Sequence, residues 1–189
     1  MITRAAQKGQ TWTPLPAILV AVALAILISI TIFEPFSVVG ASMEPSITSG
    51  HTVIVLRTEY GLRLPFSDLY LVQWKRPQRD AIIVFKAPDG KQKLLKRVLI
   101  AGDDSIQIHG DTMTLTNTTL RLNPNVAQEL LHYDRVPEGF VFVAGENMAV
   151  SRDSRHFGLV PHSNILGRVI FTPQKNSKPE HSPNVRGTQ

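Results

Sequence analysis

The 189-residue chain contains no cysteine, and that absence excludes disulfides, thiol nucleophiles and zinc–thiolate centres. Charge is scarce as well. Only 19% of residues are charged against 43% hydrophobic, and mean hydropathy is zero, a balance that points to a part of the chain lying outside water. Aromatics make up 7%, and the basic excess, a net charge of +5, is scattered instead of forming a stripe interleaved with aromatic rings. Nucleic acid is therefore not an expected partner, whereas anionic lipid headgroups fit the charge. His156 and His162 have neither the i, i+4 spacing of a helical metal pair nor an acidic cluster beside them, so no metal site and no cofactor is expected.

What the chain does possess is one long apolar run. No charged residue occurs from Gly9 to Phe33, and "LPAILVAVALAILISITIF" from Leu15 supplies the ~20 residues a helix needs to cross a bilayer. Arg4 and Lys8 precede it with no acid. The positive-inside bias then gives a cytoplasmic N-terminus at 1–14, a transmembrane helix at 15–33 and an extracytoplasmic domain at 34–171. A cleavable leader is the competing reading, with Val39-Gly40-Ala41 as the processing site. Against it, the apolar core exceeds the ~7–15 residues of a leader and Ala41 lies well beyond its end.

After the anchor the pattern changes to period two or to short apolar runs. Strands are expected at Phe36–Val39, Thr52–Leu56, Ala81–Phe85, Lys93–Ile100, Ser105–His109, Thr112–Leu115, Phe140–Val143 and Leu166–Phe171. Pro88-Asp89-Gly90, Gly110-Asp111, Asn123-Pro124-Asn125 and Pro137-Glu138-Gly139 supply turns between them. One further helix is expected, at Val126–Tyr133. The domain reads as mainly antiparallel β, followed by a polar, proline-rich stretch, residues 172–189, expected to be disordered.

Three stretches carry candidate chemistry. In "VVGASMEPSITSG", residues 38–50, an apolar run ends at Gly40 and presents Ser42 between small residues ahead of Pro45. In "LLKRVLIAGD", residues 94–103, a strand places Lys96 in a row with Leu94, Val98 and Ile100. Burial lowers a lysine pKa because the ammonium loses its water, and a neutral amine can take a proton from a serine hydroxyl. In "GENMAVSRDSRHFGLVP", residues 145–161, alternation sets Ser151, Asp153 and Arg155 on one side of an extended segment. Arg155 then pairs with Asp153, leaving Ser151 free to orient an amine.

Taken together, and behind a membrane anchor, these stretches resemble the type I signal peptidases, membrane-bound Ser/Lys endopeptidases that remove leader peptides. "SMEPS" is similar to the family's Ser-Met-x-Pro-[Ser/Thr], "KRVLIAGD" to its Lys-Arg segment, and residues 145–161 to its Gly-[Asp/Glu]-Asn-x4-Ser-x-Asp-Ser-Arg-x-x-Gly-x-Val-Pro stretch. The resemblance implies a mainly β, signal-peptidase-like fold at the bacterial cell membrane, acting on precursor proteins with signal peptides beside the lipid bilayer. It implies Ser42 as nucleophile, Lys96 as base, Ser151 holding the amine, and Asp153 and Arg155 bracing the loop. The small substrate residues before the scissile bond are expected to meet Phe36, Val38, Val39, Met43, Ile47, Leu94 and Leu95.

The chain departs from the family pattern in three places. Gly40 stands where some members carry a serine that helps stabilise the oxyanion, so backbone N–H groups near Gly40 and Ser42 are left for that role. "KRVLIAGD" is one residue short, and "QRDAIIVF", residues 78–85, matches only loosely. Three other readings stay open here: a specialised relative trimming a conjugative pilin precursor, a non-enzymatic tethered β-domain that binds peptides, and a secreted β-protein beginning at Ser42.

Overall fold

Leu15–Ile32 forms one helix, α1, of 18 residues. Leucine, alanine and isoleucine dominate it, and Pro16 sits in the first turn, where its missing N–H has no intrahelical acceptor to lose. The hydroxyls of Ser29 and Thr31 donate to the carbonyls of Ala25 and Leu27, one turn back, at 2.8 Å each. At 1.5 Å per residue the helix is ~27 Å long. None of its residues is buried, and it fits a single membrane span. The computed structural model describes residues 15–64, 67, 69–102, 104–115 and 118–172. The expected cytoplasmic segment, Asp103 and, apart from Thr172, the expected disordered tail lie outside these residues.

The chain passes from α1 directly into strand β1 (Phe33–Ser37). Next come β2 (Thr52–Leu56), β3 (Gly61–Arg63), β4 (Tyr70–Gln73), β5 (Ile82–Lys86), β6 (Lys93–Ala101), β7 (Gln107–His109), β8 (Thr112–Leu115) and β9 (Thr118–Arg121). Helix α2 (Pro124–Leu130), β10 (Phe140–Ala144), the short helix α3 (Ser154–Phe157), β11 (Val160–Pro161) and β12 (Ile165–Phe171) complete the order. A seven-stranded sheet runs β1-β2-β12-β5-β6-β10-β11, every pair antiparallel. β3 and β4 make a separate ribbon, and β7, β8 and β9 a small meander.

The expected strands are present, several displaced by a residue or more. β1 begins at Phe33 instead of Phe36 because its pairing with β2 starts as soon as the helix ends, and the Arg57 N–H donates to the Ile32 carbonyl at 2.8 Å. β1 is an edge strand, which is why Pro35 can sit in it without forfeiting a ladder bond. Ser105 forms only an isolated bridge with Arg135, so β7 starts later than expected. α2 starts earlier than Val126 because the Asn123 side chain accepts from the Asn125 N–H and Pro124 opens the helix, a pattern read above as a turn. β3, β4, β9, β11 and α3 have no counterpart in the pattern reading; each is four residues or fewer, too short to show a period.

Alternation along the strands creates two opposed cores. On one face Val53, Val55, Val84, Leu95 and Leu166 bury Val38, Met43 and Ile47. On the other, Ile83, Phe85, Val98, Val143 and Ile165 pack around Tyr60. A third cluster joins Ile100 and Phe142 to Met113, Leu120, Val126 and Leu130, fastening the meander and α2 to the far ends of β6 and β10.

Candidate active site

After β1 the chain turns through residues 40–50. Gly40 has φ +92°, a conformation that favours glycine, and its N–H donates to the Ser49 hydroxyl at 3.0 Å. Val38 and Gly50 close the neck of the loop, the Gly50 N–H donating to the Val38 carbonyl at 2.9 Å. Met43 and Ile47, each 1% exposed, plug into the core below. These anchors flank Ser42 and hold it at the top of the loop. Its carbonyl accepts from the Asn147 N–H at 3.0 Å, tying the loop to the segment after β10.

Lys96 comes from the middle of β6, opposite Ile83 of β5. On the other side of β6 the pairing with β10 begins only at Arg97, opposite Ala144, so β10 turns away just where Lys96 stands. The row expected from alternation holds: Leu94 and Val98 pack in the Phe85 core and Ile100 in the next, while Leu95 belongs to the opposite face. Lys96 is 3% exposed. Its Nζ lies 2.7 Å from Ser42 Oγ and donates to the Leu95 carbonyl at 3.0 Å. Burial pushes its pKa below the ordinary lysine value, opposed in part by the negative charge of Asp153. With the amine neutral, the Ser42 hydroxyl can donate to it across the same 2.7 Å.

Asp153 and Arg155 do not lie along an extended segment as expected. Asp153 is the N-cap of α3, its carboxylate accepting from the Arg155 backbone N–H at 3.2 Å. The pair forms nonetheless. Arg155 Nε and Nη2 reach the two carboxylate oxygens at 2.8 and 2.9 Å, and the Gly145 N–H adds a bond at 3.0 Å. Burial alone would raise the Asp153 pKa, but these bonds and the nearby Ser151 hydroxyl outweigh it and hold the carboxyl below its usual value. Ser151 is 4% exposed. Its Oγ sits beside this cluster without a hydrogen bond of good geometry, and the bond expected from it to the Lys96 amine is not made.

Of the expected pocket residues, Phe36, Val38, Met43, Ile47 and Leu95 gather in one cluster below Ser42, whereas Leu94 belongs to the opposite core and Val39 is 91% exposed. Two participants carried no role in the sequence reading. Gly145 lies so near the nucleophile loop that an added Cβ would stand 2.5 Å from the Ser42 carbonyl oxygen and closer still to Ser151 Oγ. Glu146 bonds Arg97, the neighbour of Lys96, and the Ser46 side chain of the nucleophile loop. Burial would raise the Glu146 pKa, but those bonds bring it below the usual value. The sole sequence signal for either was their place inside the quoted motifs. Among the described residues no cluster of His, Asp or Glu could hold a metal ion.

A family model described as "Signal peptidase, peptidase S26" matches residues 11–173. Signal peptidase I of Pseudomonas fluorescens is 27% identical over 80% of this chain and 69% of its own length. Probable signal peptidase I-1 of a Synechocystis species is 29% identical over 83% of this chain and 79% of its own. A crystal structure of a signal peptidase I from Enterococcus faecalis V583 matches 50% of this chain and 97% of its own at 27% identity, with a TM-score of 0.37. The matches make this chain a serine peptidase. It belongs to the signal peptidase family, peptidase S26.

Proposed function

We propose that this chain is a membrane-anchored endopeptidase that removes N-terminal signal peptides from exported precursors at small-x-small sites, with Ser42 as nucleophile and Lys96 as its base. One observation carries the reading: a buried amine, its pKa depressed, 2.7 Å from a serine hydroxyl at the top of a tightly held loop. The neutral Nζ takes the Ser42 proton as Oγ attacks the scissile carbonyl. The resulting ammonium then protonates the departing amino group, and the regenerated amine activates the water that hydrolyses the acyl-enzyme. Asp153 and Arg155 fix the segment behind the amine, and the Ser151 hydroxyl beside the Asp153 carboxylate turns to Nζ and orients it while it serves the water. The Ser42 N–H is the oxyanion donor that the chain supplies where Gly40 replaces a serine.

The substrate lies extended along the stretch of β6 from Lys93 to Lys96, which β10 leaves unpaired, with Phe36–Val39 on its other side. Phe36, Val38 and Leu95 offer a shallow apolar wall suited to alanine-sized side chains, and Met43 and Ile47 support it from beneath. α1 spans a bacterial inner membrane with Arg4 and Lys8 inside, which keeps the sheet outside, next to the surface where a leader's cleavage site emerges. The test is cleavage of a precursor with an Ala-x-Ala site by the detergent-solubilised full chain. Ser42→Ala and Lys96→Met each lose more than about 10³-fold in turnover while keeping the wild-type circular dichroism spectrum. Activity retained in either folded variant rejects the assignment.

A further inference from the structure

Phe36–Val39 and the Lys93–Lys96 stretch of β6 account for the residues before the scissile bond; the residues after it need a path of their own. The end of β10 bounds that path. Its pairing with β6 stops at Ala144 opposite Arg97, and from there residues 145–151 wrap across the site, tied to the Ser42 carbonyl by the Asn147 N–H at 3.0 Å. A substrate running on past Lys96 finds that edge of β6 already taken by β10 and has to leave the sheet over the wrap. The wrap meets it with apolar side chains, Met148 at 39% and Val150 at 63% exposure.

Beside the wrap lies a pocket of about 300 Å³. Met148 and Ser151 of the wrap line it together with Arg155 and His156 of α3, Arg121 at the end of β9 and Asn123 at the cap of α2. Ser151 joins it to the reaction centre, since a Cβ added at Gly145 would stand 2.3 Å from Ser151 Oγ and 2.5 Å from the Ser42 carbonyl oxygen. Three basic side chains line the pocket, and among the described residues no carboxylate does. Arg155 is engaged by the buried Asp153. Arg121 is 86% exposed, and its 2.9 Å pair with Asp111, outside the lining, is of the kind that water weakens, so its guanidinium is available to another carboxylate. The His156 Nδ1 accepts from the Asp153 N–H at 3.4 Å, a bond that selects the tautomer with its proton on Nε2, and the ring is half exposed. Two available donors, an apolar rim and no acid in the lining suit a short peptide that carries a carboxylate.

We propose that this pocket is the subsite for the start of the mature protein and selects an acidic side chain among its first three residues, which an extended chain carries up to ~10 Å beyond the scissile bond. The inference rests on cleavage by Ser42 and Lys96 as proposed above. Arg121 and His156 take the carboxylate while Met148 packs on the backbone beside it. The enzyme thereby reads both sides of the bond, side-chain size before it and charge after it.

The test uses the detergent-solubilised full chain and three precursors identical through an Ala-x-Ala site. They differ only in the second and third residues of the mature part, which are Glu-Glu, Gln-Gln or Lys-Lys. kcat/KM is expected to fall in that order, with about tenfold or more between the first and the last, and the spread is expected to narrow at high salt. Arg121→Glu is expected to reverse the order, raising cleavage of the Lys-Lys precursor, a gain that a damaged fold cannot produce. Equal cleavage of all three by the wild-type chain overturns the subsite and leaves the proposed function intact. An order that Arg121→Glu leaves unchanged also overturns it, because the acid is then read elsewhere. Failure to cleave any of the three rejects the proposed function and the subsite together.

Discussion

Gly145→Ala tests whether the site depends on a close approach between two backbones. The added Cβ would stand 2.5 Å from the Ser42 carbonyl oxygen and 2.7 Å from Ser151 Cβ. Comfortable contacts of this kind begin near ~3.5 Å, so about 1 Å of separation has to be found. The nucleophile loop cannot easily yield it, because that same carbonyl accepts from Asn147 and because Met43 and Ile47 are locked in the core. Shifting a reacting group by ~1 Å costs about 10²-fold in rate, equivalent to ~2.7 kcal/mol of activation free energy. The expected result is kcat lowered about 10²-fold with KM nearly unchanged, since the apolar wall at Phe36, Val38 and Leu95 is untouched. Thermal melts followed by circular dichroism should show only an overpacking loss of ~1–3 kcal/mol. Activity within about threefold of wild type would show that the loop accommodates the methyl group, and the reasoning would fall.

The charges at Lys96 and at the Asp153–Arg155 pair set the remaining expectations. Because the amine must be neutral to act and its pKa lies below the 10.5 of an ordinary lysine, kcat/KM should rise with pH along a limb centred below that value. A limb at the ordinary lysine position would refute the buried base. The unfolded chain binds the Lys96 proton more tightly than the native one, so this group's destabilising effect is full below the native pKa and fades as pH rises toward 10.5. Folded Lys96→Met should accordingly melt no lower than wild type near neutral pH, which calorimetry can check. Arg155→Ala leaves the fully buried Asp153 carboxylate without its ion-pair partner, and a loss of ~3–5 kcal/mol in chemical denaturation is expected. The same change frees Asp153 to pull harder on the amine, so the rising limb of the pH profile should move upward; a limb left in place would mean that the two groups are not coupled.

The apolar helix, β2, β6, β8 and the Asp153–Arg155 pair were legible in the sequence because each depends on residues close along the chain: an uncharged run, a period of two, a short spacing. The β3–β4 ribbon was not, since its apolar face is turned outward and reads as neither a buried strand nor a polar loop. Nor was the helical cap at Asp153, because extended and helical forms place residues 153 and 155 within reach of each other. Leu94, expected in one pocket with Leu95, packs in the opposite core, because periodicity separates the two faces of β6 without saying which one the nucleophile loop covers.

Taken alone, the sequence determined the chemical parts of this protein: an apolar helix, a mostly antiparallel β chain, a serine on a constrained turn and a lysine among apolar neighbours. Only the tertiary structure decided that positions 54 residues apart bring Oγ and Nζ to 2.7 Å, and that Gly145 wedges between Ser42 and Ser151. The reason is physical. Residue type and spacing set what a group can do, but desolvation and proximity belong to whatever packs around it, and that is settled when distant segments meet.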